Sequence, residues 1–158
     1  MANLTLIEIE NALLKTIRES ATIGLLKHGG YSRTIESYGG QFELALDEVI
    51  ILYPCVFVAL AEETIEPLTQ QGSSDVHPST WTVLVADRNL RGNAAARRGD
   101  VQNPGAYQMM DDARNLLQGH ALGLIGFDRL QLTKRTALLQ QRDLAVYALE
   151  FTTQYFLD

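Results

Sequence analysis

Near the start of the chain Leu6, Ile9, Leu13 and Ile17 recur three and four residues apart, with Lys15, Arg18 and Glu19 among them. That is the period of a helix with one buried face. Thr5 and Glu8 stand at capping-box spacing ahead of it, so the pattern predicts a helix from about 5 to 27, ended by Gly29 and Gly30. The next stretch, "YSRTIESYGGQFELALDEVIILYP", mixes a short extended piece at 33–37, a turn at Gly39 and Gly40, and a segment from Phe42 to Leu52 that is compatible with a second helix.

The pattern changes at Pro54. "CVFVALAE" and "TWTVLVADR" (80–88) are apolar and rich in β-branched and aromatic residues, the signature of buried strands that pair with each other. Between them "EETIEPLTQQGSSDVHPS" carries Pro67, Gly72, Ser73, Ser74 and Pro78, which reads as a loop too long for a tight hairpin. After the second strand, "NAAARR" lies between Gly92 and Gly99 with no apolar period, and an exposed loop is expected there.

Asn103 and Pro104 then supply an N-cap and a first-turn proline for a helix ending at Gly119, with Ala106, Met109, Met110, Ala113, Leu116 and Leu117 along one face. "FDRLQLTK" and "DLAVYALEFTTQYF" close the chain as strands. In the second, Tyr147, Leu149, Phe151 and Tyr155 alternate with more polar positions. The order of elements predicts one α+β domain over residues 1–158, a mostly antiparallel sheet flanked by helices.

With 158 residues, 46% of them apolar and 20% charged, the chain has the composition of an ordinary globular domain. Its one cysteine, Cys55, sits in an apolar run and reads as a buried inert thiol. The start carries Glu8 and Glu10 and no basic segment before an apolar core, which is not a secretory signal. No apolar run reaches the roughly 20 residues of a membrane span, and the expected compartment is a reducing cytoplasm.

A net charge of -6 argues against broad nucleic-acid binding. It also makes one stretch conspicuous: in "ADRNLRGNAAARRGD", Arg88, Arg91, Arg97 and Arg98 gather four of thirteen basic residues. All are arginine, the side chain suited to bidentate pairing with carboxylates at interfaces.

Catalytic patterns are scarce. There is no phosphate loop and no dinucleotide fingerprint. His28, His77 and His120 are far apart, without the spacing of zinc ligands; His28 and His120 fall at predicted helix ends, where a cation suits the dipole. The acidic pairs Asp47-Glu48, Glu62-Glu63 and Asp111-Asp112 read as solvated, and none of the loop serines stands in a nucleophile elbow. No cofactor or metal is implied. The one enzymatic alternative is a small metal-dependent hydrolase or nuclease using Asp47, Glu48 or Glu62.

Taken in order, "ESYGGQF", "YPCVFVAL", "WTVLVADRNLRG", "AARRGD", "PGAYQMMDDARNLLQG" and "LAVYALEFTTQY" resemble the tail-terminator (tail-completion) family of Mu-like contractile-tailed phages and prophages over about residues 5–156. The resemblance implies a tail-terminator-like fold and a non-enzymatic virion protein. Such a protein forms a ring, expected to be hexameric, on the head-proximal end of the tail tube, and is assembled in the host cytoplasm. Its implied partners are other copies of itself, the tail tube and sheath, and a neck or head-completion protein, with DNA passing through unread; a head-tail connector is the alternative. Carried over by motif, Arg88, Arg91, Arg97, Arg98 and Tyr107 become candidates for subunit or tube contacts, the arginines on a loop that orders on assembly. The stretches 62–80 and 120–142 match the family's pattern less well.

Overall fold

The computed structural model describes residues 4–43, 51–67 and 75–157. Helix α1 (Leu6–Arg18) opens the chain, followed by strand β1 (Thr34–Ser37), β2 (Cys55–Glu63), the short β3 (Glu66–Pro67) and β4 (Asp75–Arg88). Helices α2 (Asn93–Arg98) and α3 (Ala106–Leu117) come next, and β5 (Gln131–Gln140) and β6 (Leu144–Leu157) complete one sheet in the order β1-β2-β4-β6-β5. Among the described strands β1 and β2 pair in parallel, whereas β2 with β4, β3 with β4, β4 with β6 and β5 with β6 are antiparallel. The expected α+β architecture is therefore present, with β4 and β6 paired over fourteen residues at its centre.

Each face of the sheet collects the residues that the two-residue period sends to it. On one face Val56, Val58, Trp81, Val83, Val85, Leu149 and Phe151 meet Ile9, Leu13 and Ile17 of α1 and Met109, Ala113 and Leu117 of α3. Each such buried aliphatic side chain stabilises the fold by roughly 1.5–3 kcal/mol. On the other face Cys55, Phe57, Leu84, Ala86, Leu144 and Val146 form a smaller cluster, covered by Tyr38, Phe42, Ile51 and Tyr53. β6 is thus apolar on both faces in its first half, more than its alternating pattern conveys. Cys55 is fully buried, and burial pushes its thiol well above the usual range.

Several predicted boundaries move. The first helix starts as expected, with the Thr5–Glu8 capping box formed, but ends at Arg18 instead of 27. The Ser20 hydroxyl accepts from the Thr22 N–H, an alternative to helical pairing, and Leu25 N–H turns back to the Arg18 carbonyl. Of the stretch read as a long loop at 62–79, the described residues are mostly strand, since β2 runs to Glu63, β3 holds Glu66–Pro67 and β4 begins at Asp75, while 68–74 lie outside the described residues. His77 is buried there in β4 beside Tyr155, because the register with β6 continues through the polar residues. Of the segment 42–52, Gln41–Glu43 form a single 3-10 turn and 44–50 lie outside the described residues.

The helix expected from Asn103 begins instead at Ala106, with Gly105 at the N-cap position and no side-chain cap. Gly105 donates its N–H to Asp87, so β4 supplies what a capping side chain would. His120, just past the end of α3, accepts from Leu122 N–H at Nδ1 and so ties down the following turn.

Candidate functional site

The arginine stretch is not a loose loop. "NAAARR" forms α2, whose Ala96 packs without exposed surface against Ala106 and Ala145. Six residues are too few to display a helical period, and a buried face made of one alanine leaves no hydrophobic pattern in the sequence.

A frame of polar side chains fixes this corner. Asp87, 1% exposed at the end of β4, accepts from the N–H groups of Arg88 and Gly105, both at 2.8 Å. Burial raises the Asp87 pKa, and the two backbone donors oppose that shift. Asn89, also buried, donates to Asp100 at 2.8 Å and accepts from Arg91 N–H at 3.0 Å. The Asp100 carboxylate also accepts from the N–H groups of Gln102 and Asn103. These bonds, that of Asn89 first, hold its pKa below the ordinary value. The Asn93 amide reaches the turn between β5 and β6, bonding Gln140 Oε1 and the carbonyls of Gln141 and Leu144.

Gly99 and Gly105 make the crossing of the two turns possible. Both have φ near +80°, and a Cβ on Gly105 would stand 2.2 Å from the Gly99 nitrogen. Only glycine fits two backbones that close in that conformation.

Within this frame the four arginines divide. Arg88 pairs with Asp143 at 2.9 Å. Arg97 donates to Asn93 at 2.8 Å and to the Tyr107 hydroxyl at 3.0 Å, and its guanidinium lies 5.8 Å from the centre of the Tyr107 ring. Tyr107 in turn meets Tyr147 edge-on at 5.6 Å. Arg91 is 78% exposed, with Asp100 3.9 Å away, and Arg98 is exposed on α2. Beside them Leu90 and Val101 stand almost wholly in solvent, at the tips of two turns that the Asn89–Asp100 bond joins.

The five predicted contact residues are therefore brought to one corner. Arg88, Arg97 and Tyr107 are engaged in building it, while Arg91 and Arg98 point out of it. Sequence reasoning missed Asp87, Asn89, Asn93 and Asp100, which set its shape. Asp87 left a signal, as an acid closing an apolar strand. Of the acids named for metal chemistry, Glu62 is exposed on β2, and Asp47 and Glu48 lie outside the described residues. Among the described residues no three His, Cys, Asp or Glu side chains are arranged to hold a metal ion.

Fold and site together define a small α+β domain that presents a preformed, basic and partly apolar corner. The family model described as "Bacteriophage Mu, Gp37" matches residues 5–156, and the chain belongs to that family. It is accordingly a phage structural, tail-related protein, in agreement with the Mu-like family that its motif order resembles. No curated protein sequence matches the chain.

Proposed function

We propose that this protein is the tail terminator of its phage. It forms a ring, six-membered on the family resemblance, on the head-proximal end of the tail tube, stops polymerisation of tube and sheath, and offers the neck a surface to join. The carrying observation is the corner itself. An acidic chain spends four polar side chains on fixing a patch from which Arg91, Arg98, Leu90 and Val101 project. Arginine beside exposed aliphatic side chains is the composition of protein contact surfaces, and a patch fixed in advance loses little entropy on association.

Deletion of the gene in its phage or prophage, followed by induction and negative-stain electron microscopy, tests the proposal. Over-long or variable tails without heads are the expected result. Tails of normal length lying beside full heads would point to a connector, and intact particles would refute both.

A further inference from the structure

Residues 1–75 contain four Lys or Arg and eleven Asp or Glu, whereas residues 76–158 contain nine and eight. The strand order β1-β2-β4-β6-β5 converts that division along the chain into one across the molecule. α1, β1, β2 and β3 lie to one side of β4, and β6, β5 and the turn between them lie to the other. Among the described residues, the side that holds α1, β1, β2 and β3 therefore carries the excess of acids.

The two sides also differ in how they end. β5 is an edge strand of ten residues, eight of them exposed, with Leu138 half in solvent and Lys134 and Arg142 exposed along the strand and its turn. Its contacts with the rest of the molecule beyond β6 include partial packing at Leu132 and Leu139, the Arg135–Asp111 pair and the bond from Leu132 N–H to Gln118. The opposite edge offers acids beside Arg18 and Arg33, and it is already closed. Glu36 is exposed on β1, Glu10 of α1 lies beside it and accepts from the Ser37 hydroxyl at 2.9 Å, and the carbonyl of Ile35 is taken by the Arg18 guanidinium at 3.0 and 2.8 Å. A neighbouring strand cannot extend the sheet at Ile35, so contact on that side is made by side chains.

A closed ring is built from heterologous contacts, in which two different surfaces of each subunit meet. Opposite charge on those surfaces selects the correct pairing, and like charge rejects the two self-pairings. We propose that the basic β5 side of one subunit, through Lys134, Leu138 and Arg142, packs on the acidic α1–β1 side of a second copy, through Glu10 and Glu36. The inference rests on the ring reading above and names the two surfaces that form the ring. It also provides cover for a largely exposed edge strand, the kind of edge that proteins ordinarily protect.

The test uses the full chain supplied to the deletion host, with tail length as the readout. Lys134→Glu with Arg142→Glu makes both sides acidic, and Glu10→Lys with Glu36→Lys makes both sides basic. Each double variant is expected to lower the fraction of normal-length tails by at least about tenfold, whereas all four changes in one chain, which exchange the two charges, restore it. Normal tails from either double variant would overturn the inference. So would a four-change chain that is folded by circular dichroism and no better than its parents. Normal tails in the deletion host itself would overturn the ring reading, and this inference with it.

Discussion

Asp87 carries the corner, and its removal gives the sharpest energetic test of the site. In Asp87→Ala the Gly105 N–H, buried at the entry to α3, loses its acceptor at 2.8 Å, as does the Arg88 N–H. A hydrogen bond to a charged group contributes about 1.5–3 kcal/mol, and a buried donor left unpaired costs about 1–3 kcal/mol. Desolvation of the carboxylate, the leading cause of its raised pKa, offsets part of this. The net loss works out at about 3 kcal/mol, or roughly 6–12 °C in Tm for a domain of this size.

Asp87→Asn retains one acceptor oxygen and removes the buried charge, so it should lose about half as much. The pH dependence has a fixed sign. A carboxyl whose folded pKa lies above its unfolded value near 3.9 binds the proton more tightly in the native state. Its contribution is fully present below about 3.9 and is lost as pH rises through the folded value. Urea denaturation of parent and variants across that range measures both effects, and the deficit of Asp87→Ala should widen toward acid. A loss below about 1 kcal/mol, or a deficit that narrows toward acid, would refute the role given to Asp87.

Two further outcomes follow from the same corner. Gly105→Ala, at φ +80° with its Cβ 2.2 Å from the Gly99 nitrogen, should cost at least about 3 kcal/mol, whereas Gly119→Ala, at φ +75° with nothing within 4 Å, should cost about 1–2 kcal/mol. Equal thermal shifts for the two would show that the crossing is not tight. In an ultraviolet titration Tyr107 should be among the first tyrosines to ionise, because hydrogen bonds from Tyr147 and then Arg97 lower its pKa, while burial raises Tyr147 and pushes Tyr53 up to about 12. Tyr107→Phe should delete that early step and Arg97→Gln should move it upward; an unchanged first step in both variants would contradict the contact.

The sheet was readable in the sequence because its strands are apolar, and burial leaves that trace wherever a side chain faces a core. "CVFVALAE", "TWTVLVADR" and "DLAVYALEFTTQYF" fall within β2, β4 and β6, apart from Asp143 just ahead of β6. What escaped was structure held by polar contacts. The start of β4, with Asp75 and His77, is strand because β6 pairs with it, although its own residues read as a loop. The end of α1 is fixed by Ser20 and by the return of Leu25 to Arg18, contacts that a run of apolar residues to Leu26 does not announce. At the site, the clustering of arginines marked the right corner and Tyr107 was correctly grouped with them. Its rigidity was not legible, since Asp87, Asn89, Asn93 and Asp100 act across eleven to fifty-one residues of sequence.

That rigidity changes what the arginines can do. A loop ordered only on assembly would lose conformational entropy at the moment of contact, about 1–2 kcal/mol for each residue fixed, and its charges would have to offset that cost. Here folding fixes the stretch beforehand: Arg97 is clamped between Asn93 and Tyr107, Arg88 is held by Asp143, and Ala96 anchors α2. Arg91 and Arg98 therefore reach a partner from a fixed base, and only their own side chains remain to be ordered. The local excess of arginine in an acidic chain has two physical causes. Two guanidiniums are used in the frame, that of Arg97 bonded to two partners at once, which a lysine's single ammonium would serve poorly, and two are left outward in the half of the chain, residues 76–158, where acids do not outnumber bases.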